Sequence, residues 1–136
     1  MDRPPRLAAL TLAAAGLLLG ASGCGDDAPA EATIGIRFSR FEPEAVAATA
    51  GKPVTITLRN DDPIEHEWIV GPDDVHKRHR TDTEPKHDQI PTEVTIPPLS
   101  TRTTTITFDQ PGDLKYICHL PGHEKYGMVG TLSVTE

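Results

Sequence analysis

The 136-residue sequence predicts an all-β sandwich. Two observations carry that expectation. Apolar and polar residues alternate in short runs, the two-residue period of strands half-buried against a core. The runs are separated by turn signals, in a chain whose 11 Gly and 13 Pro favour many turns over long helices. The length suits one domain behind a short leader.

The alternation begins at Thr33, where Ile34, Ile36 and Phe38 share one face of a strand. Phe41-Glu42-Pro43 reads as a turn, and 44–50 as a weaker strand. After the turn at Gly51-Lys52-Pro53, Val54, Ile56 and Leu58 alternate with polar residues. Asn60-Asp61-Asp62-Pro63 ends that strand, and 64–70 forms the next. The stretch 71–93 is polar, carries both charge signs and holds His76, His79 and His87, for which solvation is the default; 74–80 suits a helical turn or two. Strands follow at 94–96, 101–108, 114–118 and 129–134. Seven to eight short strands with turns between them predict a β-sandwich with one charged loop or short helix inserted.

The leader has its own logic. Arg3 and Arg6 precede an apolar run from Leu7 to Gly20, too short for a comfortable membrane span of about 20 residues. It ends in small residues, the pattern of an export signal. Ala21-Ser22-Gly23-Cys24 resembles the lipobox of bacterial lipoproteins, with Ala21 where Leu is commoner. The resemblance implies cleavage before Cys24, lipidation of Cys24, and a membrane anchor on the outer side of the cytoplasmic membrane. Residues 1–23 are then a signal peptide, 24–32 a flexible tether and 33–136 the domain. Net charge is −7, which argues against nucleic acid and anionic membrane patches as partners.

The chemistry concentrates near the C-terminus. Cys118, His123 and Met128 follow one another with four residues between each pair. Thiolate, imidazole and a weak thioether are soft donors that suit copper; blue electron-transfer sites combine Cys and two His with a distant Met. The chain has two cysteines, and Cys24 has its own explanation in the lipobox, so a disulfide is not expected. The only Met besides Met1 falls inside this stretch. A second His must come from elsewhere. His119 follows Cys118 directly and points to the other face of an extended segment. His66 shares a strand face with Trp68 at one end of the expected sandwich. Geometry favours it over His76, His79 and His87 without deciding the matter.

Asn60-Asp61-Asp62, His66-Glu67-Trp68, Gln110-Pro111-Gly112, Tyr116-Ile117-Cys118, Pro121-Gly122-His123 and Gly127-Met128-Val129-Gly130-Thr131-Leu132 together resemble the cupredoxins, the plastocyanin- and azurin-like blue copper proteins. The resemblance spans about Thr33 to Glu136. It implies a Greek-key β-sandwich and a single copper held by His66, Cys118, His123 and Met128, cycling between Cu(I) and Cu(II). It also implies an electron port at His123, where a small apolar patch docks redox partner proteins. Two departures stand out. Glu67 replaces the Asn that plastocyanins and azurins carry after the first His, and the charged insertion 73–93 is long.

The expected function is therefore one-electron transfer outside the cytoplasmic membrane, by a monomer and without enzymatic activity. Storage or delivery of Cu(I) is the alternative.

Overall fold

The computed structural model describes residues 29–83 and 90–136. The expected export signal, Cys24, the first part of the expected tether and His87 lie outside the described residues. Among the described residues are nine strands and one helix. They are β1 (Ala30–Ile36), β2 (Phe41–Glu42), β3 (Ala45–Thr49), β4 (Pro53–Asn60), β5 (His66–Gly71), α1 (Asp73–Arg80), β6 (Glu93–Ile96), β7 (Thr101–Thr107), β8 (Gly112–Ile117) and β9 (Val129–Thr135).

Two mixed sheets face each other. One runs β2-β1-β4-β7 and the other β3-β9-β8-β5-β6. β1 lies parallel to β4 and β3 parallel to β9, and the remaining pairs are antiparallel. The chain switches sheets between β2 and β3, β3 and β4, β4 and β5, β6 and β7, and β7 and β8, which knits the layers into one core. The alternation read from the sequence sets that core. Ile34 and Ile36 from β1, Val54, Ile56 and Leu58 from β4, and Leu132 and Val134 from β9 are all buried in it. Trp68 and Tyr116 are fully buried between the sheets, their ring centroids 6.1 Å apart. Each such side chain contributes about 1.5–3 kcal/mol through burial.

Four expectations change. Phe41–Glu42, read as a turn, is a two-residue strand, which brings the strand count above the expected seven to eight. β1 opens at Ala30, so Ala30, Glu31 and Ala32 pair with Val54, Thr55 and Ile56 rather than extending the tether. Phe38 does not continue β1. The chain reverses over Arg37–Arg40, which exchange backbone hydrogen bonds at 3.1 and 3.2 Å, and Phe38 and Ser39 both have positive φ. Positive φ at both central residues is the two-residue hairpin turn whose twist matches its strands. Phe38 therefore points outward, 77% exposed, beneath the Arg37 guanidinium.

The fourth change concerns the charged stretch. His76 and His79 are not solvated: His76 is buried, and so is the His79 side chain. The reason lies on the outer face of the second sheet. Ile69 and Ile117, paired across β5 and β8, are buried yet stand outside the core cluster. α1 packs against β5 on that side, with Val75 seated so closely over Gly71 that a Cβ there would press on its side chain at 3.0–3.3 Å. His76 Nε2 reaches the carbonyls of Gly71 and Lys115 at 3.1 Å each. Asp73 and Asp74 in the first turn and the basic residues 77–80 in the last complement the helix dipole.

Candidate metal centre

The antiparallel pairing of β8 with β5 and β9 brings three chain segments to one end of the sandwich. His66 opens β5, Cys118 follows β8, and Met128 precedes β9. Between Cys118 and Met128 the chain forms a tight loop. His123 N–H donates to the Leu120 carbonyl at 3.0 Å, Met128 N–H to the His123 carbonyl at 3.0 Å, and Cys118 N–H to the Met128 carbonyl at 3.2 Å. Gly122 and Gly127 adopt φ of 86° and 94°, which side-chain-bearing residues rarely tolerate. The spacing seen in the sequence is thus the length of a closed hydrogen-bonded loop.

Three of the four sequence-predicted residues come together here. His66 Nδ1 lies 3.3 Å from His123 Nδ1, which in turn lies 3.3 Å from Cys118 Sγ. The ligand atoms of His66, Cys118 and His123 all fall within 4.8 Å of one another. His66, Cys118 and Met128 are fully buried, while His123 is partly exposed. Burial pushes the Cys118 thiol up to about 11, although the Glu67 backbone N–H, 3.4 Å from Sγ, favours the thiolate. That bond comes from the main chain and does not depend on the Glu67 side chain. A bound cation would supply the charge that keeps this thiol deprotonated at neutral pH. Burial also lowers the basicity of His123, so the neutral imidazole needed for metal binding prevails. Buried, preorganised and of mixed N and S character, the donor set fits copper.

His119 points away from this cluster, as its adjacency to Cys118 requires. It meets α1 instead, with Nε2 3.0 Å from His76 Nδ1 and its ring stacked on His79 at 5.1 Å. Arg80, at the end of α1, grips Glu124 of the ligand loop through both carboxylate oxygens. The insertion is thereby tied to the segment between His123 and Met128.

Two residues that sequence reasoning passed over shape the His66 side. Asn60 and Asp62 entered the sequence reading as a strand break and as part of the family pattern, with no site role of their own. The Asn60 amide donates to the carbonyls of Ile64, Ile96 and Pro97 at 2.8, 3.2 and 2.9 Å. The Asp62 carboxylate meets His66 Nε2 at 2.9 Å and accepts the N–H groups of Phe38 and Ser39 at 2.7 and 2.8 Å. An acidic residue four positions before the candidate ligand was the available signal. Its partners on the Phe38–Ser39 turn are 24 and 23 residues away and left no pattern.

A β-sandwich with two imidazoles and a thiol converging at one end is the arrangement of a candidate metal-binding domain. The family model of the cupredoxin-like domain matches residues 8–134, and the chain belongs to that family. Two relatives are each described as a copper-resistant cuproprotein CopI. The one from Pseudomonas aeruginosa is 26% identical, over 96% of this chain and 98% of its own length. The one from Rubrivivax gelatinosus is 28% identical, over 81% and 70% respectively. Among solved structures, auracyanin A of Chloroflexus aurantiacus, described as a "blue" copper protein, superposes with a TM-score of 0.65. It is 25% identical, covering 79% of this chain and all of the other.

Proposed function

We propose that the protein holds one copper ion through His66, Cys118, His123 and Met128 and exchanges single electrons with other proteins outside the cytoplasmic membrane. The observation that carries this reading is the contrast in exposure: three of the four residues are fully buried, and His123 alone reaches the surface. Such a site holds its ion tightly and offers one imidazole edge for contact. Copper bound there would supply the Cu(I)/Cu(II) couple. The loop hydrogen bonds and the flanking sheets keep the donors in place as the charge changes, which keeps reorganisation small. Exposed Pro121 and Tyr126 sit in the loop that carries His123 and supply part of a docking patch for a redox partner. The leader sequence supports export, and Cys24 lipidation would tether the domain to the membrane.

A second reading has its own support. Both CopI relatives carry copper resistance in their descriptions, and the first aligns over nearly its whole length. In this reading the protein binds Cu(I) and stores or transfers it to limit copper stress. Voltammetry alongside copper transfer to a chelating acceptor separates the two. Reversible one-electron cycling with slow release supports the carrier. Rapid handover to the acceptor without a reversible wave supports the cargo role.

A further inference from the structure

Asp62 makes more contacts than a strand-ending residue requires. Its N–H donates to Asn60 Oδ1 at 2.9 Å, and its carbonyl accepts Leu99 N–H at 3.0 Å. Its side chain is buried under the Phe38–Ser39 turn, where Oδ1 accepts Phe38 N–H and Oδ2 accepts Ser39 N–H. Each carboxylate oxygen thus accepts a backbone N–H, the arrangement of an acceptor-only group that has lone pairs to offer His66.

This determines the proton on His66. A lone pair on Nε2 would oppose the Oδ2 lone pair at 2.9 Å, so Nε2 must carry the hydrogen. In the neutral ring Nδ1 then has the free lone pair, and Nδ1 is the atom that faces His123 and Cys118. The carboxylate also lends negative charge to the imidazole, strengthening it as a donor.

We propose that Asp62 is a positioning residue of the copper site: it locks His66 as the Nε2–H tautomer, aims Nδ1 at the ion and favours Cu(II) over Cu(I). The proposal rests on the copper reading above, but its first half concerns the metal-free protein alone. A carboxylate hydrogen-bonded to a ligating imidazole stabilises the more highly charged ion, so removing the charge raises the reduction potential.

The test has two parts. Long-range ¹H–¹⁵N correlation spectra of the metal-free wild-type protein should show His66 as a single Nε2–H tautomer. Asp62→Asn should raise the reduction potential and weaken Cu(II) binding about 10–100-fold, and Asp62→Glu should restore part of each. His66 found in the Nδ1–H form, or an Asp62→Asn protein with wild-type potential and affinity, overturns the proposal. Should Asp62→Asn fail to fold, the wild-type tautomer still decides the lock. If the wild-type protein lacks a thiolate-to-copper band, the copper reading fails separately, and the metal-free spectra alone accept or reject the lock.

Discussion

Cys118 and Met128 are joined by a backbone hydrogen bond, Cys118 N–H to the Met128 carbonyl at 3.2 Å, which closes the loop that carries His123. The bond places a buried thioether side chain at the base of the same loop as the thiol. Met128→Leu keeps roughly the volume and removes the sulfur. The fold should lose less than about 1.5 kcal/mol, copper should still bind, and the reduction potential should rise, since a weak donor to Cu(II) is gone. Voltammetry with chemical denaturation checks both halves; an unchanged potential would remove Met128 from the ligand set.

Gly130 lies opposite Tyr116 in the β8–β9 register, and a methyl group there would run into the Tyr116 ring. That ring cannot easily move, because its hydroxyl donates to the Pro43 carbonyl at 2.8 Å and its edge meets Phe41. Gly130→Ala should destabilise the protein by about 1–3 kcal/mol or more, read from the urea midpoint. A wild-type midpoint would show that the ring has room to shift.

Ser39 occupies the second positive-φ position of the β1–β2 turn, at 53°. Left-handed backbone costs a non-glycine residue about 1–2 kcal/mol. Ser39→Gly removes most of that cost and leaves the N–H that Asp62 accepts. The variant should be more stable by up to about 1 kcal/mol in thermal unfolding, with an unchanged copper spectrum.

His76 sets a pH dependence in the metal-free protein. Burial is the largest influence and lowers its pKa, with nearby Arg80 and His79 acting the same way, and the Gly71 and Lys115 carbonyls oppose them only in part. His119, also lowered by burial, to about 4, and Glu124 complete the charged and titratable surroundings. The unfolded chain therefore binds protons on His76 and His119 near pH 6.5 while the folded chain resists them. Stability should be fully present above about pH 6.5 and fall as the pH drops towards 4. His76→Gln should flatten that acid limb in denaturation curves taken at successive pH values. An equally steep limb would place the coupling elsewhere.

Much of this was legible in the sequence because its signals are local. Alternation at Ile34 and Ile36, at Val54 to Leu58 and at Leu132 and Val134 reported the core, since a strand's faces repeat every second residue. Cys118, His123 and Met128 were visible because a single loop holds them. Long-range contacts left weaker traces. Phe38 continued the alternating pattern, and only the turn anchored on Asp62 reveals why it leaves the strand. His76 and His79 looked solvated because their neighbours are charged; α1 buries one face against β5 while the other keeps the charge. Asp62 serves His66 and the Phe38–Ser39 turn at once, a role that no spacing records.

The absorption spectrum of the copper(II)-loaded domain tests the central claim most directly. His66 and His123 beside a Cys118 thiolate should produce an intense thiolate-to-copper band in the visible, and Cys118→Ser should abolish it while the domain stays folded. A colourless copper(II)-loaded wild-type protein, or a band that survives Cys118→Ser, would contradict the account.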